Sequence, residues 1–532
     1  MPPADPSGVR LPRDIRRIGA CVSFHAARGA DREAAVAGTV RMTYRDLDRS
    51  VQRWAKAFLA AGLGHGDRVA MLAPASTEWL AVMLAVTDIG AIWTGFHPRY
   101  RLPEFRHVTA LTGPKVLVAF RHIHGRDYAT ELRALRAETP TLVDMVMIDE
   151  PLDDATMAGT FLEAGAGISD RDLDRHRDAV TVDDTAVLIF TSGTTGRPKA
   201  AMVRHRALLV GARVENEHWP MTRPRLLHMM PVNHIAGIGM TAVFALWTGG
   251  TLVFQSRFDA GDLLRLIEKE RIDHVLGSPV QFHMMAHHAD AERRDLGSLK
   301  YITWGGAPMA ASLVARLNGL PGHLCTSFGM TELGLYVTFT RPDDDFEVLS
   351  STIGRPHADF DIRIADADGN ITPPEGRGEI QARGPWLLAG YWGDAEATRQ
   401  AYTADGWFRT GDVVRVREDG NLEIVGRTKE MYISGGFNIY PREIEVVLEE
   451  HPDVGLVAVM GVPHEVFGEV GHAFVEPLPG ALPGTGELDL WCRERLANYK
   501  VPKTFEIDQE LPRLPIGKID RQALKERLEA RS

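Results

Sequence analysis

This chain of 532 residues contains little cysteine, no uninterrupted apolar run of membrane-spanning length and no excess of positive charge. Its cysteines, Cys21, Cys325 and Cys492, are odd in number and far apart, which excludes a disulfide framework and a four-cysteine zinc site. The chain has 60 basic and 71 acidic residues. Its net charge of -11 disfavours nucleic acid or an anionic bilayer as the main partner. These scarcities predict a cytoplasmic protein without a nucleic-acid partner.

The most membrane-like segment is residues 79–96, but Asp88 and Gly90 interrupt it. Since a bilayer span needs about 20 apolar residues, we predict a buried helix followed by a buried strand, and no stable membrane insertion. The N-terminal MPPADPSGVRLPRDIRRIG has charge and proline but no apolar run of signal-peptide length. We therefore expect a leader without a secretion signal.

The hydropathy pattern predicts an α/β fold with several domains. Hydrophobic residues make up 44% and charged residues 25% of the chain, as in ordinary globular proteins. Short apolar runs alternate with helical patterns over residues 44–118 and again from about residue 180, which predicts two α/β sheet subdomains. Glycine-punctuated short strands after Gly354 predict a small β-rich subdomain. After Arg427 the pattern predicts a small α+β domain, so the expected domains are 1–426 and 427–532.

A loop rich in glycine and hydroxyls, TSGTTGRPK (191–199), follows the predicted strand AVLIF. Free backbone N–H groups, hydroxyls and one cation suit an oligophosphate, although the lysine spacing does not match a Walker A loop. A flexible solvent loop is the alternative. The predicted phosphate-binding residues are Thr191, Ser192, Gly193, Thr194, Thr195, Gly196 and Lys199.

This loop resembles the phosphate loop of the adenylate-forming superfamily, which contains acyl-CoA synthetases, firefly luciferase and the adenylation domains of peptide synthetases. Further motifs follow in the family's order: SFGMTE (327–332), GWFRTGD (406–412), GRTKEMYISGGFNIYPREIE (426–445) and PRLPIGK (512–518). The resemblance extends from about residue 30 to the C-terminus. It implies a large N-terminal domain and a small, mobile C-terminal domain that carries a catalytic lysine.

The resemblance also implies a nucleotide site around these motifs. An aromatic face at Phe328 could stack on adenine, the Glu332 carboxylate suits Mg²⁺, and Asp412 suits the ribose hydroxyls, with Arg427 beside the same sugar or the α-phosphate. A core aromatic ring and a solvated glutamate are the alternatives. The predicted nucleotide-binding residues here are Gly306, Ala307, Ser327, Phe328, Gly329, Met330, Thr331, Asp412 and Arg427, and the predicted metal ligand is Glu332.

The resemblance implies roles for four residues near the C-terminus. Lys518 is the expected catalytic lysine of adenylation, where an ammonium neutralises the charge that develops as a carboxylate attacks the α-phosphate. Lys429 falls at the family's interdomain hinge. Gly435 and Gly436 fall in the loop that lines the pantetheine channel. A solvent-exposed lysine and a glycine hairpin turn are the alternatives.

The acid is expected to bind near two other segments. His234 and Gly237 lie in PVNHIAGIGM, where small residues leave room for an acyl or aryl group, and the resemblance implies a carboxylate-side or gating histidine. A capped core histidine is the alternative. Trp304 and Gly305 lie in YITWGGAPM, where the tryptophan is expected to line or shorten the pocket.

We hypothesise an ATP-dependent carboxylic acid:CoA ligase that forms acyl-AMP with release of pyrophosphate and then the thioester with release of AMP. The expected cofactors are ATP, Mg²⁺ and coenzyme A, and the expected substrate is a medium-chain fatty or aryl acid. An acyl-AMP ligase that delivers to a carrier protein and a non-catalytic nucleotide-binding homologue are the alternatives. The oligomeric state is open, a homodimer being the commonest choice.

Overall fold

The computed structural model describes residues 15–191, 198–307, 309–366, 369–514 and 518–530. The predicted phosphate-loop residues Ser192, Gly193, Thr194, Thr195 and Gly196 lie outside these ranges.

The strands of the first part of the chain are β1 Glu33–Ala37, β2 Val40–Thr43, β3 Arg68–Leu72, β4 Ile92–Phe96, β5 Val116–Ala119, β6 His122–Ile123, β7 Arg126–Asp127, β8 Asp144–Met147, β9 Thr156–Met157, β10 Thr185–Thr191, β11 Lys199–Arg204, β12 Arg225–His228, β13 Thr251–Phe254 and β14 His274–Gly277. Those that follow are β15 Tyr301–Gly305, β16 His323–Met330, β17 Leu335–Phe339, β18 Arg355–Pro356, β19 Asp361–Ala365, β20 Arg377–Arg383, β21 Phe408–Val416, β22 Leu422–Arg427, β23 Tyr432–Ser434, β24 Phe437–Ile439, β25 Val454–His464, β26 Gly468–Pro477 and β27 Thr504–Ile507.

The α-helices are α1 Ala20–Gly29, α2 Tyr44–Ala60, α3 Thr77–Asp88, α4 Leu102–Thr112, α5 Ala129–Glu138, α6 Ala158–Ala164, α7 Asp170–Ala179, α8 His205–His218, α9 Phe244–Thr248, α10 Ala260–Glu270, α11 Pro279–Ala286, α12 Ala311–Leu317, α13 Phe346–Ser351, α14 Ala395–Gln400, α15 Pro441–Glu449, α16 Thr485–Arg495 and α17 Arg521–Glu529. A π-helix covers Ala236–Val243, and 3₁₀ turns cover Gly165–Gly167 and Thr331–Leu333.

Two mixed sheets form the large domain. A nine-stranded sheet has the order β18-β17-β16-β15-β14-β12-β13-β1-β2, and a seven-stranded sheet has the order β11-β10-β4-β3-β5-β8-β9. Strands β12 to β16 run parallel, so the loops that follow β12, β15 and β16 meet at one edge of the sheet, where α/β proteins bind their ligands. The predicted α/β fold is confirmed.

Two antiparallel regions follow. Strands β19 to β22 form a four-stranded sheet, as the glycine-punctuated hairpins predict. Beyond Arg427, a five-stranded sheet of order β24-β23-β26-β25, with β27 beside β26, forms the centre of the small C-terminal domain. Helix α16, Thr485–Arg495, begins where the Glu487 carboxylate accepts from the Gly484 N–H, and it ends before the extended Leu496.

The main core lies between the two large sheets. Trp79 of α3 packs within 5.1 Å of the His228 ring in β12 and within 6.4 Å of Trp93 in β4, measured between ring centroids. The Ser76 hydroxyl caps α3, and apart from Glu78 the helix is buried throughout. The predicted buried helix and strand of residues 79–96 are therefore confirmed, and truncating Trp79 to alanine is expected to cost about 3–5 kcal/mol of folding free energy. In the ranges that the structure describes, no helix is long and apolar enough to cross a bilayer.

Candidate active site

The site is centred where the small domain reaches the open edge of the nine-stranded sheet. Gly306 follows β15 with φ of +78°, a conformation that favours glycine. A Cβ atom placed on Gly306 would lie 3.7 Å from both Cε and Nζ of Lys518. The structure thus brings the predicted catalytic lysine to the predicted nucleotide-binding glycine.

Lys518 lies in a solvent-accessible cleft among several charged groups. The surrounding protein lowers the pKa of its ammonium, and the Arg427 guanidinium lowers it further, whereas Asp412 and Glu430 oppose the shift. Lys518 and Asp412, from different domains, are therefore electrostatic neighbours. A cation in this position suits an anion that binds beside Lys518.

Asp412 and Arg427 face each other across β21 and β22. The Arg427 Nε–H donates to Oδ1 of Asp412 at 2.8 Å. The carboxyl is only 4% exposed, and its second oxygen, Oδ2, is buried without a hydrogen-bond partner among the described residues. Burial raises the pKa of Asp412, and Arg427 opposes that shift. A buried acceptor left unpaired costs about 1–3 kcal/mol, so Oδ2 is suited to a hydroxyl donor such as the ribose of ATP.

A second carboxylate, Glu332, lies in the 3₁₀ turn after β16 and is buried. The Tyr391 hydroxyl donates to its Oε1 at 3.0 Å, and Nζ of Lys199 lies 5.2 Å from the Tyr391 ring centroid. Burial and then the charge of Glu332 raise the pKa of Tyr391, which keeps the phenol protonated as a donor. Sequence analysis missed Tyr391, because it lies in a loop outside every motif.

Lys429 lies in the turn between β22 and β23 and joins this charged group. Burial lowers the pKa of its ammonium, and Lys199 and Arg427 lower it further, while Glu332 opposes the shift. Three cationic side chains therefore surround one buried carboxylate. These cations suit a polyphosphate, although Asp412, Glu379 and Glu430 lie near them and the chain as a whole is acidic.

His234 lies in the loop after β12. The Ala236 N–H donates to its Nδ1 at 3.2 Å, so in the neutral ring the proton is on Nε2. Burial lowers the pKa of His234 to about 4, and the positive charges of Lys518 and His97 contribute. At neutral pH His234 is therefore an uncharged hydrogen-bond donor close to Lys518.

The π-helix of residues 236–243 follows His234 directly. A Cβ atom on Gly237 would lie 2.4 Å from the carbonyl oxygen of Pro231, so no larger residue fits there. The Gly237 carbonyl accepts from the Thr241 hydroxyl at 2.7 Å and lies 3.1 Å from Nε2 of His228. Single π-helical turns within helices occur frequently at functional sites.

Trp304 and Gly305, the two residues of β15 that are predicted to contact the acid, lie on opposite faces of the sheet. Successive side chains of a strand point to opposite faces. Gly305 faces β16 and β17, where a Cβ atom would lie 3.5 Å from Cε1 of Tyr336. Trp304 is 1% exposed and packs with Ile302 and Leu227 in a core cluster on the other face. Trp304 therefore belongs to this core cluster, and its contact with the acid stays a prediction.

The other predicted nucleotide contacts lie at the end of β16. Phe328 is half-buried, and its N–H donates to the Thr338 hydroxyl at 3.2 Å. Ser327 is buried, and at Gly329 a Cβ atom would approach the carbonyl oxygen of Leu335 to 2.3 Å. Met330 ends β16, Thr331 begins the 3₁₀ turn, Ala307 follows Gly306, and Thr191 and Lys199 flank the undescribed loop.

Gly435 and Gly436 form the exposed turn between β23 and β24, with φ of +56° and +86°. The Gly435 N–H donates to the Phe467 carbonyl at 2.8 Å. In the portion of the chain that the structure describes, no large-domain atom lies within 4 Å of a Cβ atom placed on either glycine. The structure therefore does not bring these two residues to the cleft that holds Lys518.

Comparison with known proteins supports the same interpretation. Residues 22–392 match the AMP-binding enzyme family, and residues 443–518 match the AMP-binding enzyme C-terminal domain. The chain is 37% identical over 486 residues to a feruloyl-CoA synthase from Amycolatopsis sp, covering 91% of this chain and 93% of that protein. It is 36% identical over 516 residues to the 3-[(3aS,4S,7aS)-7a-methyl-1,5-dioxo-octahydro-1H-inden-4-yl]propanoyl:CoA ligase from Mycobacterium tuberculosis, covering 96% and 99% of the two proteins.

The fold is also found in solved structures. The ATP-bound MatB crystal structure from Rhodopseudomonas palustris superposes with a TM-score of 0.85 at 28% identity, covering 96% of this chain and 99% of that one. The chain belongs to the AMP-binding enzyme family, and it is an ATP-dependent acid:CoA ligase of the AMP-forming class.

Proposed function

We propose that the enzyme activates a ring-bearing carboxylic acid, with ATP and the acid bound by residues 1–426 and the catalytic lysine supplied by residues 427–532. The observation that carries this proposal is the approach of Lys518 to Gly306, beside the neutral donor His234. The two relatives described above are named for acids that contain rings, which favours an aryl or fused-ring acid over a straight chain.

In the first step, a carboxylate oxygen of the acid attacks the α-phosphorus of ATP, and the bond from that phosphorus to the pyrophosphate oxygen breaks. The Lys518 ammonium lies between the two approaching anions and stabilises the charge that develops in the transition state. Nε2–H of His234 donates to the carboxylate and orients it. Because His234 is uncharged, it binds the carboxylate of the acid without attracting the phosphates of ATP as a cation would.

Asp412, Phe328 and the cations hold the nucleotide. Oδ2 of Asp412, which has no partner within the described ranges, accepts from a ribose hydroxyl, and the half-exposed Phe328 ring stacks on adenine. Arg427 keeps Oδ1 occupied, and Lys199 and Lys429 face the phosphates. The residues of the loop between Thr191 and Lys199 remain predicted phosphate contacts.

Glu332 is the proposed ligand for Mg²⁺. Its buried carboxylate has Tyr391 as a donor to one oxygen, and no ion pair to Glu332 is found in the described part of the chain. An oxygen ligand beside a phosphate site suits the preference of Mg²⁺ for carboxylate and phosphate oxygens. When bound, Mg²⁺ neutralises phosphate charge.

In the second step, the thiol of coenzyme A attacks the acyl carbon, and AMP leaves. We propose that the small domain first rotates about Lys429 to bring Gly435 and Gly436 to the cleft. One contact that this rotation would break is the salt bridge between Arg377 and Glu443, which spans the two domains at 2.8 Å and whose arginine is 49% exposed. Exposed ion pairs contribute about 0–1 kcal/mol.

The small domain also carries an exposed apolar face next to the same glycines. The rings of Phe437 and Tyr499 stack at 4.4 Å between centroids and are about half exposed. Ile433, Val466 and Phe467 are exposed beside the glycine turn. Exposed apolar patches mark interaction surfaces, and the large domain in the rotated arrangement is the proposed partner.

The test is a panel of ring-bearing acids and straight-chain acids of matched size, scored by release of AMP and pyrophosphate with ATP, Mg²⁺ and coenzyme A. We expect AMP, not ADP, and higher kcat/KM for the ring-bearing acids. Higher kcat/KM for the straight-chain acids would contradict the proposed substrate class.

A further inference from the structure

One face of helix α8 packs against the π-helix of residues 236–243 and against β17. Its residues Leu208, Gly211, Glu215 and His218 follow the i, i+3, i+7, i+10 spacing of a single helix face. Leu208 lies 3.3 Å from the Cβ position of Gly239 in the π-helix.

Further along the same face, the helix packs on β17. A Cβ atom on Gly211 would lie 2.9 Å from Cβ of Leu335, and the His218 ring stacks on Phe339 at 4.1 Å between centroids. Glu215 lies between these two contacts, in the interface of the helix with β17.

Glu215 has no polar partner in this interface. The residue is 1% exposed, and neither carboxyl oxygen has a hydrogen-bond partner among the described residues. Burial alone raises its pKa well above the ordinary value. A neutral carboxyl group offers one O–H donor and acceptor oxygens, and leaving these buried and unpaired costs about 1–3 kcal/mol. The site is therefore incomplete without a polar group from elsewhere.

A short series of contacts connects Glu215 to the reacting centre. Its charge raises the pKa of the Tyr336 phenol, second to the effect of burial, so the two side chains are electrostatic neighbours. Cε1 of Tyr336 lies 3.5 Å from the Cβ position of Gly305, and the next residue, Gly306, lies beside Lys518. Glu215 is thus at one end of this series of contacts, and Lys518 is at the other.

We propose that Glu215 is a specificity residue that binds a hydroxyl group on the substrate acid, at the end remote from the reacting carboxylate. This inference rests on the proposed function and narrows its substrate class to hydroxylated acids. An acid without that hydroxyl leaves Glu215 unpaired in the complex, and sites built to bind a hydroxyl reject the analogue that lacks it.

The test compares 4-hydroxycinnamate with cinnamate in the wild type, Glu215→Leu and Glu215→Gln. We expect the wild type to prefer the hydroxylated acid by about 10–100-fold in kcat/KM, since a buried polar group left unpaired costs about 1–3 kcal/mol. Glu215→Leu should bring the ratio close to one by losing activity on 4-hydroxycinnamate alone, and Glu215→Gln should keep part of the preference. Glu217→Gln, exposed on the same helix, is the matched control and should leave the ratio unchanged.

An equal ratio in the wild type and Glu215→Leu would overturn the inference while leaving the proposed ring-acid ligase intact. If Glu215→Leu does not fold, the 2-, 3- and 4-hydroxycinnamates are compared with cinnamate in the wild type, and equal kcat/KM for all four would overturn it. If neither cinnamate is a substrate but octanoate is, the proposed substrate class fails, and the pair 8-hydroxyoctanoate and octanoate then tests Glu215 in the same way.

Discussion

Buried carboxyl groups have different numbers of hydrogen-bond partners at the two ends of the cleft. At the nucleotide end, Asp412 keeps Arg427 on one oxygen and leaves the other without a partner among the described residues, and Glu332 accepts from Tyr391. At the remote end, Glu215 has no described partner on either oxygen. A half-paired carboxylate can remain charged in the free protein, whereas an unpaired one is stable only in its neutral form. The nucleotide end is therefore preorganised, and the remote end depends on the acid for its missing hydrogen bonds.

The largest effect that can test this division is expected from Lys518→Ala. Loss of the ammonium should lower the rate of acyl-AMP formation by about 10²–10³-fold, since it removes one preorganised charge from the transition state. Thioester formation from supplied acyl-AMP and coenzyme A should stay within a few-fold of the wild type. Both half-reactions are measured separately by pyrophosphate release and thioester yield. Lys525→Ala, an exposed lysine of α17, is the control, and equal loss in both halves would contradict the assignment.

Asp412→Asn tests whether the nucleotide end acts independently. Removing the charge that pairs with Arg427 and accepts from ribose should lower kcat/KM for ATP by about 10–100-fold, because hydrogen bonds to charged groups contribute about 1.5–3 kcal/mol. The preference for 4-hydroxycinnamate over cinnamate should be unchanged. In the double variant with Glu215→Leu, additive effects on the two kcat/KM values would support two independent ends. Strong coupling would contradict the comparison.

The pH dependence of adenylation sharpens the comparison further. Catalysis needs the protonated Lys518, whose pKa is below its ordinary value of 10.5. Activity should therefore fall as pH rises, before pH 10.5, by about tenfold per unit above that pKa. Because the pKa of His234 is about 4, this ring should contribute no loss between pH 5 and 8. In Lys518→Arg the residual activity should lose this alkaline limb; an unchanged limb would point to another group.

A last effect, on folding stability and not on catalysis, concerns two buried histidines. His228 contacts the π-helix, His274 bonds to the Thr303 hydroxyl, and burial lowers their pKa values to about 4 and about 3. Below the unfolded pKa of about 6.5 the unfolded chain binds more protons, so stability falls as pH drops from 6.5 towards 4, by about 1.4 kcal/mol per unit for each ring. Thermal unfolding at pH 7, 6 and 5 measures this, and His274→Gln should reduce the slope. A constant Tm would contradict it.

The sequence predicts those site residues that lie together within one short motif. A run such as TSGTTGRPK or SFGMTE places donors and acceptors on one turn, and the strands before these motifs are recognisable from their apolar runs. Tyr391, by contrast, reaches Glu332 from 59 positions away along the chain, and no motif marks it. The sequence also does not decide on which face of its sheet Trp304 lies, because an apolar residue in a buried strand fits either face.

Glu215 shows the same limit of sequence analysis, here for a charged residue type that the fold buries. In the run VENEH, Glu215 and Glu217 are indistinguishable by type, yet the first is 1% exposed and the second faces solvent. Helix phase alone does not decide which glutamate is buried, because that depends on where β17 and the π-helix pack. A charged residue in a helical sequence therefore looks like a solvated face until its neighbours are known.

By itself, the sequence determined the family, the order of the sheets' strands along the chain and most of the groups that handle the nucleotide, since these depend on short stretches and their periodicity. Only the tertiary structure decided that Lys518 comes to Gly306, and that one oxygen of Asp412 and both oxygens of Glu215 are enclosed without a partner among the described residues. The burial of a side chain and its hydrogen-bond partners depend on which segments pack around it, and those segments lie far apart in the chain.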